Sequence, residues 1–439
     1  MEKMEHQKQQ MNLTVQLPSG YGIEQGSWRW DREQPDAFIN ADVFIKAAKE
    51  AERGKLDAFF IADIPGVTEE IQYVPPLSGG MDPVVVLAAM ASHTEHIGLV
   101  ATMSTSFNEP YNIARQFRSL DVLSQGRIGW NVVTTGRPFA LENYFETAPS
   151  SGERHARSRE VYEAVRLLWD SWPQGALKLD QTSGTFADAS MIRPIHYHGK
   201  YVFTAGPMTL PPSQQGDPII FTAGGGHEGF DFAVKNADAV YGNPYDLQSA
   251  KAYWQYLKNG LKQVGRQEES LKVFSGIITS VASTEREALQ RRIELDELGD
   301  LPGRVQYLSF MLCVDLDNLN IDAALPADVL KRTFPNPRDR RSSRAVELAR
   351  QGLTIREILA YGPINYHPVV VGTPEKIADF LQQWFEAGIG GGFNITPDSG
   401  LTALTDFVDQ VVPILQKRGI FRSEYEHSTL REHLGLSRF

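Results

Sequence analysis

A glycine-rich turn is the clearest candidate for ligand chemistry in the sequence. The apolar run 218–223 leads into three glycines at 224–226, and a helical pattern begins near Phe230. Backbone N–H groups at such a turn, and at the helix N-terminus behind it, can bind phosphate. The run also matches G-x-G-x-x-G through Gly229, as in a Rossmann dinucleotide site, but four predicted strands precede it and no acidic residue ends the next strand. A tight turn without a ligand is a further interpretation.

Polar side chains fall at the ends of three other β-rich runs. Asp63 follows the run 57–62, Thr102 lies in the run 97–103, and Asn131 and Thr135 lie in or just after the run 127–133. In a parallel barrel the carboxyl ends of the strands form the ligand-binding face, so we expect these groups to meet there. Asp63 is predicted to be a hydrogen-bonding or catalytic group, or else a cap of its own loop. The hydroxyl and amide groups suit a polar heterocycle, although threonine is also a common strand former.

Other reactive residue types give little signal. His196 and His198 share one face of a strand, but no third ligand lies near them in the sequence, so we predict no metal site. Motifs typical of hydrolases are absent from the sequence. The single cysteine, Cys313, excludes a disulfide framework, favours a reducing compartment and is predicted to be a buried, inert thiol because it lies in the apolar run 308–314.

The elements that must position these groups alternate between β-rich runs and segments of helical period, which predicts a parallel sheet covered by helices. The β-rich runs are residues 12–17, 57–62, 97–103, 127–133, 218–223, 237–241, 271–281 and 392–396. Eight strands close a barrel, so the predicted fold class is α/β, a (β/α)8 TIM barrel. One-sided helices that end at Gly54 and Gly126, and a third that starts at Thr373, would cover its outer wall.

Two connections are too long for a plain βα repeat. We predict insertions after strands 4 and 7, at about residues 173–217 and 285–368, with a helix at 153–172 and a hairpin turning at His198 in the first connection. The predicted organisation is a loose tail at 1–10 and a single barrel domain at 11–439. Loops that follow barrel strands lie over the mouth, so these insertions are candidate lids and specificity elements.

Charge and hydropathy exclude several classes of partner. The chain has 43 basic and 54 acidic residues, a net charge of −11, and no dense basic stripe that could bind nucleic acid. The start of the chain lacks the apolar core of a signal peptide, and no stretch approaches the roughly 18 apolar residues of a membrane span. We therefore predict a cytoplasmic protein that contacts neither nucleic acid nor membrane.

Motifs spread over nearly the whole chain carry a family resemblance. They include Gly26-Ser27-Trp28-Arg29, Phe60-Ile61-Ala62-Asp63, Gly129-Trp130-Asn131-Val132-Val133-Thr134, Leu168-Trp169-Asp170-Ser171-Trp172, Gly372-Thr373-Pro374-Glu375 and Leu430-Arg431-Glu432-His433-Leu434-Gly435. By these motifs the sequence resembles the bacterial luciferase-like flavin monooxygenases, in the branch that contains nitrilotriacetate, long-chain alkane and dibenzothiophene-sulfone monooxygenases.

The resemblance implies a two-component enzyme that uses FMN as FMNH2, received from a separate NAD(P)H:flavin reductase. O2 is then the co-substrate, and one oxygen atom enters a small sulfur-containing, nitrogen-containing or alkyl substrate while the other leaves as water. A homodimer or homotetramer is expected. Two alternatives stay open: a deazaflavin- or nicotinamide-dependent oxidoreductase on the same barrel, and a flavin-binding protein without catalysis.

Carried over by position, the resemblance implies that Asp63, Thr102 and the segment 131–135 surround the isoalloxazine ring. His155, where the family more often has Tyr, would hold the FMN phosphate together with the turn at 223–226. The predicted cofactor-binding set is Asp63, Thr102, Asn131, Thr135, His155, Ala223, Gly224, Gly225 and Gly226. Relatives usually carry Ser at Gly226, and Glu24 and Val122 also depart from the family, so the resemblance assigns neither the substrate nor a catalytic residue.

Overall fold

Eight parallel strands form a closed barrel in the computed structural model, which describes residues 10–30, 32, 34–76, 78, 80–223 and 225–437. The strands of the described chain are β1 Asn12–Gln16, β2 Ala58–Ile61, β3 Gly98–Ser104, β4 Ile128–Val133, β5 Leu177–Asp180, β6 Thr185–Ala187, β7 Tyr197–His198, β8 Phe203–Thr204, β9 Ile219–Thr222, β10 Ala239–Gly242, β11 Lys272–Val281, β12 Val369–Gly372 and β13 Gly391–Pro397. The order around the barrel is β10-β9-β4-β3-β2-β1-β13-β11, and pairing of β10 with β11 closes it. The predicted (β/α)8 fold is therefore confirmed.

Helices cover the outside of the barrel. They are α1 Ala41–Arg53, α2 Pro83–Ala91, α3 Pro110–Leu123, α4 Pro138–Leu141, α5 Ser151–Asp170, α6 Gly226–Asn236, α7 Leu247–Gln263, α8 Glu285–Leu298, α9 Leu301–Leu312, α10 Ala327–Leu330, α11 Ser342–Arg350, α12 Ile355–Ala360, α13 Pro374–Glu386, α14 Leu401–Asp406, α15 Val412–Lys417 and α16 Leu430–His433, with a π-helical turn at Phe407–Val411. Short 3-10 turns lie at Pro18–Gly20, Ser27–Arg29, Ala37–Ile39, Glu69–Gln72 and Glu268–Ser270.

Local sequence explains how the outer helices begin and which face they bury. The Asn40 side chain accepts a hydrogen bond from the backbone N–H of Asp42 and so caps α1, and the apolar stripe of α1 is buried until the helix ends at Gly54. Thr373 caps α13 in the same way, and Pro374 occupies its first turn. The predicted apolar stripes therefore face the barrel wall.

The strands alternate between an outer core, shared with the helices, and a lumen core. Residues such as Leu13 and Leu99 pack against the helices, whereas Phe60, Val100 and Phe221 fill the lumen. The C-terminal segment closes the end where the strands begin, because its apolar side chains, Leu430, Leu434 and Leu436, join the lumen core. The opposite end, where the carboxyl ends of the strands converge, carries polar side chains instead.

The eight predicted strands agree with the observed strands to within one or two residues, but three elements were missed. The short strand β12 pairs with the far end of β11 outside the barrel circuit, and β5 and β6 form a hairpin. The hairpin predicted at His198 is present as β7 and β8. The predicted tail lies almost wholly in residues 1–9, outside the described residues, as does Gly224 of the glycine turn.

A separate small core lies in the long connection between β11 and β13, where α9, α11 and α12 pack around Leu308, Met311 and Ile358. The prediction that Cys313 is buried is wrong: the residue ends α9 with φ of 56° and is partly exposed. The helix ends at Cys313, whose side chain stays outside the small core, while Val314 packs against that core. No helix in the described part of the chain is long and apolar enough to cross a membrane.

Arg127 offers a test of how the barrel is held together. Its buried guanidinium donates to the carbonyls of Ala91, Thr94, Ile97 and Ser124 at 2.8–3.1 Å, and so joins the turn before β3 to the start of β4.

We expect Arg127→Lys to lower the free energy of unfolding by about 2–4 kcal/mol, because a single ammonium cannot reach all of these buried acceptors. Urea unfolding followed by circular dichroism measures the change. The exposed Arg115→Lys is the matched control and should stay within about 0.5 kcal/mol of the wild type; equal losses in the two variants would contradict the assignment.

Candidate functional site

A row of hydrogen-bonded polar side chains joins the carboxyl ends of β3 and β4. Asn131 donates from Nδ2 to the Thr102 hydroxyl over 2.8 Å, and Thr135 donates to the Ser104 hydroxyl over 2.8 Å. The Asn131 amide oxygen is buried and has no hydrogen-bond partner among the described residues. Since an unpartnered buried acceptor is costly, this oxygen is a candidate contact for a bound ligand.

A first cavity, here the β2–β3 cavity, has a volume of about 340 Å³ and is lined by Asp63, Asp82, Thr102, Phe107 and Tyr144 among others. The rings of Phe107 and Tyr144 stack, with centroids 3.8 Å apart and planes inclined by 3°. Burial, together with the charge of Asp82, raises the pKa of Asp63 to about 6. The cavity thus combines a flat aromatic surface with a carboxylate that titrates near neutral pH.

A second cavity, here the α5–α6 cavity, has a volume of about 330 Å³ and opens beside the carboxyl ends of β4 and β9. His155, Ala223 and Gly225 line it. The helix α6 begins at Gly226, earlier than the predicted start near Phe230, and no side chain caps it. The N–H groups of its first turn therefore lack side-chain acceptors and can bind an anion.

Two cations on the wall of the α5–α6 cavity were not predicted. Arg159 and Lys235 both line it. Lys235 pairs with Asp231 over 2.6 Å, whereas Arg159 forms no ion pair with any described residue. Arg159 could have been predicted from the sequence. It lies four residues after His155 on α5, and residues four apart lie on the same helix face.

The structure gathers the predicted residues into one band across neighbouring strands. Asp63 and Thr102 line the first cavity, and His155, Ala223 and Gly225 line the second. Asn131 and Thr135 lie between them, since β4 pairs with β3 on one side and with β9 on the other. Closure of the barrel also excludes the Rossmann interpretation of the glycine turn. In the described residues, no group of three His, Cys, Asp or Glu side chains could hold a metal ion.

His367 is a mouth residue that sequence reasoning missed. It precedes β12, and its ring lies where a Cβ on Gly276 of β11 would be. Gly276 pairs with Asn394, so the ring sits at the mouth of the lumen. Burial lowers the pKa of His367 to about 4, which keeps the imidazole neutral, and its Nδ1 has no partner among the described atoms. A contact between residues so far apart leaves no local pattern in the sequence.

Glu24 is locked into an ion-pair network. It lies 2.7 Å from Arg292 and 3.1 Å from Arg304, and it accepts a hydrogen bond from Asn365 over 2.7 Å. Burial opposes ionisation, but the two arginines prevail and hold the pKa of Glu24 at about 2. The negative charge of Glu24 is thus balanced by Arg292 and Arg304 inside the fold.

Val122 is far from the mouth. It is 39% exposed on α3, near the end of that helix that leads into β4 at the closed side of the barrel. Its departure from the resembling family therefore does not bear on the ligand-binding face.

Comparisons with known proteins agree with this architecture. The family model described as luciferase-like monooxygenase matches residues 22–390. The chain is 38% identical to N-acetyl-S-(2-succino)cysteine monooxygenase of Bacillus subtilis (strain 168), over 99% of this chain and 98% of that protein. It is 36% identical to nitrilotriacetate monooxygenase component A of Aminobacter aminovorans, over 98% and 97% of the two chains.

Solved structures of similar proteins share the fold of this chain over nearly its whole length. EDTA monooxygenase from Chelativorans sp. BNC1 superposes with a TM-score of 0.82 at 32% identity, covering 98% of this chain and 99% of that one. A riboflavin lyase, solved with modified FMN and riboflavin, superposes with a TM-score of 0.80 at 27% identity over 98% and 96% of the two chains.

The packing of His367 against Gly276 can be tested without a ligand. In Gly276→Ala the new methyl group would overlap the imidazole, so the ring must leave its buried position. We expect the pKa of His367 to rise from about 4 towards the ordinary value of about 6.5. NMR titration of the histidine resonances measures this, with Gly152→Ala, where a Cβ meets nothing within 4 Å, as the control. An unchanged pKa in Gly276→Ala would contradict the placement.

Proposed function

Because the chain belongs to the luciferase-like monooxygenase family, we propose that this monooxygenase is the oxygenase component of a two-component system and uses FMNH2 supplied by a separate flavin reductase. The observation that carries the proposal is the continuous band at the barrel mouth. At one end of this band, an uncapped helix N-terminus and Arg159, which has no ion-pair partner among the described residues, suit a phosphate. At the other end, a polar and aromatic cavity suits a planar heterocycle.

The residues of this band fit FMN. The first turn of α6, His155 and Arg159 would hold the phosphate, and Asp63, Thr102 and Asn131 would contact the ring. Three features support this fit: the unpartnered amide oxygen of Asn131, the uncompensated charge of Arg159, and the open space around Gly225. The riboflavin lyase of the same fold was solved with modified FMN, which supports the choice of cofactor.

Gly226 has a physical reason to differ from the usual serine. Its φ is +83°, in the left-handed region that favours glycine, and a Cβ there would meet nothing within 4 Å. The contact that a serine hydroxyl would make is therefore absent. We propose that the guanidinium of Arg159, which can donate in a bidentate manner to phosphate, replaces it.

Reduced FMN, when bound, supplies the chemistry that activates O2, so that one oxygen atom enters the substrate and the other leaves as water. The chain then has to orient the ring and keep water away. Phe107 and Tyr144 provide an apolar surface beside Asp63, and His367 adds a neutral polar group at the mouth. Orienting the ring and excluding water do not require a pair of side chains that act as general acid and general base.

Assembly and location are part of the same proposal. We propose a cytoplasmic homodimer or homotetramer that receives FMNH2 by diffusion from a separate flavin reductase. Leu179, Phe186 and Phe203 on the two hairpins are 60–77% exposed, and such apolar side chains support contact with a second copy. The Aminobacter aminovorans relative is named component A, which supports a separate partner for that enzyme.

Removing single phosphate or ring contacts should weaken FMNH2 binding. We expect His155→Ala, Arg159→Gln and Asp63→Ala each to raise the Kd for FMNH2 by roughly tenfold, since a lost charge-assisted or ionic hydrogen bond is worth about 1.5–3 kcal/mol. Anaerobic titration with photoreduced FMN measures Kd. The conservative Arg159→Lys should recover part of the affinity, because it keeps the charge but not the bidentate geometry.

The same assay separates the rival functions. Unchanged affinity in all three variants would reject this placement of the cofactor. Tight binding of a deazaflavin with no affinity for FMNH2 would favour the deazaflavin-dependent oxidoreductase. FMNH2 binding without any oxygenated product, when FMN, NADH, flavin reductase, O2 and candidate substrates are supplied, would favour the non-catalytic flavin-binding protein.

The raised pKa of Asp63 gives a pH dependence. Because the folded pKa is about 6, above the ordinary 3.8, the carboxylate becomes neutral as pH falls through 6, and FMNH2 affinity should decline with it. Stability should change in the opposite direction, since the neutral form is favoured in the fold and stability is lost as pH rises from 3.8 to 6. We expect Asp63→Asn to flatten the affinity profile between pH 5 and 7 and the stability profile between pH 3.8 and 6, and persistence of either slope in that variant would assign it to another group.

A further inference from the structure

A third cavity lies beside the proposed flavin site, between the loop that follows β2 and the segment that follows β4. This loop cavity has a volume of about 250 Å³. It shares Gly66 and Val67 with the β2–β3 cavity, so the two spaces adjoin. A molecule in the loop cavity would therefore lie next to a ring held by Asp63 and Thr102.

The wall of the loop cavity is apolar for most of its extent. Ile64, Val67, Val74 and Phe139 contribute aliphatic and aromatic surface. Phe139 packs directly on Gly66, where a Cβ would lie 2.8 Å from Cδ2 of the ring, so a glycine is needed for this wall to close. The volume suits a small organic molecule rather than a polymer.

One cation interrupts this wall. Arg137 lines the loop cavity, and its guanidinium makes no ion pair or hydrogen bond with any described residue. A second guanidinium, that of Arg154, lies near Gly136, the neighbour of Arg137, but it does not line the cavity and donates from Nη1 to the Pro149 carbonyl over 2.6 Å. The Nε of Arg154 is buried and has no partner among the described atoms. Arg137 is solvent-exposed where it lines this cavity, so its guanidinium can pair with an anionic group of a bound ligand.

We propose that the substrate is a small organic acid whose carboxylate binds Arg137 in the loop cavity, while its apolar part lies against Val67 and Phe139. This inference rests on the proposed function, because it assumes that the oxidised atom faces the flavin cavity. Glu70 on the same wall supplies one anion, which matches an amine nitrogen beside the carboxylate. An uncharged alkane would instead cover Arg137 without offering an acceptor in place of water, which is unfavourable.

The names of similar proteins are consistent with this class. Nitrilotriacetate and EDTA, after which one relative and one solved structure are named, are amines that carry several carboxylates. Only the shared chemistry, a carboxylate near an amine nitrogen, is carried to this chain. The specific acid is left to the experiment.

The test uses the full chain with FMN, NADH, a flavin reductase and O2, and measures oxygenated product by mass spectrometry. The probes are nitrilotriacetate and N-acetyl-S-(2-succino)cysteine, their methyl esters, dimethyl sulfide and dibenzothiophene sulfone. We expect at least one acid to be oxygenated and its ester to be a poorer substrate. For that acid Arg137→Gln should raise KM at least tenfold with kcat changed less than threefold, and Arg137→Lys should recover part of the loss.

Arg286→Gln, which removes an exposed charge from the outer helix α8, is the matched control and should leave KM unchanged. FMNH2 affinity is measured on every variant by anaerobic titration. If the wild type binds FMNH2 but oxygenates only the uncharged probes, or if Arg137→Gln leaves KM for the acid unchanged, the carboxylate inference is overturned and the proposed function stands. If the wild type does not bind FMNH2, the carboxylate inference and the proposed function are both rejected.

Discussion

Pairing of β11 with three other strands is the interaction on which the remaining structure depends. The strand runs from Lys272 to Val281, hydrogen bonds to β10 and β13 to close the barrel, and extends beyond them to hold β12. Closure leaves no free sheet edge in the barrel, and the parallel pairing of all eight strands places their carboxyl ends at one face. Asp63, Asn131 and the glycine turn are neighbours there because β2, β3, β4 and β9 lie side by side in the barrel.

The extension of β11 also brings the long insertion to the mouth. Because β12 pairs with the end of β11, the residues just before β12 must pass over the lumen, and His367 lies there against Gly276. At the opposite end the C-terminal segment fills the lumen with Leu430, Leu434 and Leu436. The barrel is therefore open to ligands at one end only, and the unpartnered buried polar atoms of Asn131 and His367 lie at that end.

The sequence predicted those parts of the structure that depend on local pattern. Hydrophobic periodicity identified the eight barrel strands, and glycine with a following helix identified the turn at 223–226. Contacts between residues far apart in the sequence could not be predicted in this way, because they leave no local pattern. The position of His367 depends on the space left by Gly276, and the ionised state of Glu24 depends on Arg292 and Arg304. Arg159 can be recognised as a phosphate-binding candidate only when α6 is known to begin at Gly226. The strand β12 was missed although β2, β9 and β10 are equally short, because the eight predicted strands already closed the barrel and β12 pairs outside that circuit.

The net charge of the protein determines how an anionic ligand can be attracted to Arg137 and Arg159 at the mouth of the barrel. A protein of net charge −11 repels anions at long range, but at physiological ionic strength this repulsion decays over about 8 Å. Capture of a phosphate or a carboxylate must then depend on cations within contact distance. Most buried arginines of this chain, such as Arg291 with Asp398, have carboxylate partners. Arg137 and Arg159 are solvent-exposed instead; they have no carboxylate partner among the described residues, and each lines a cavity at the ligand-binding face. The fold thus places an exposed guanidinium at each of the two cavities where the proposed reaction needs an anion to be held.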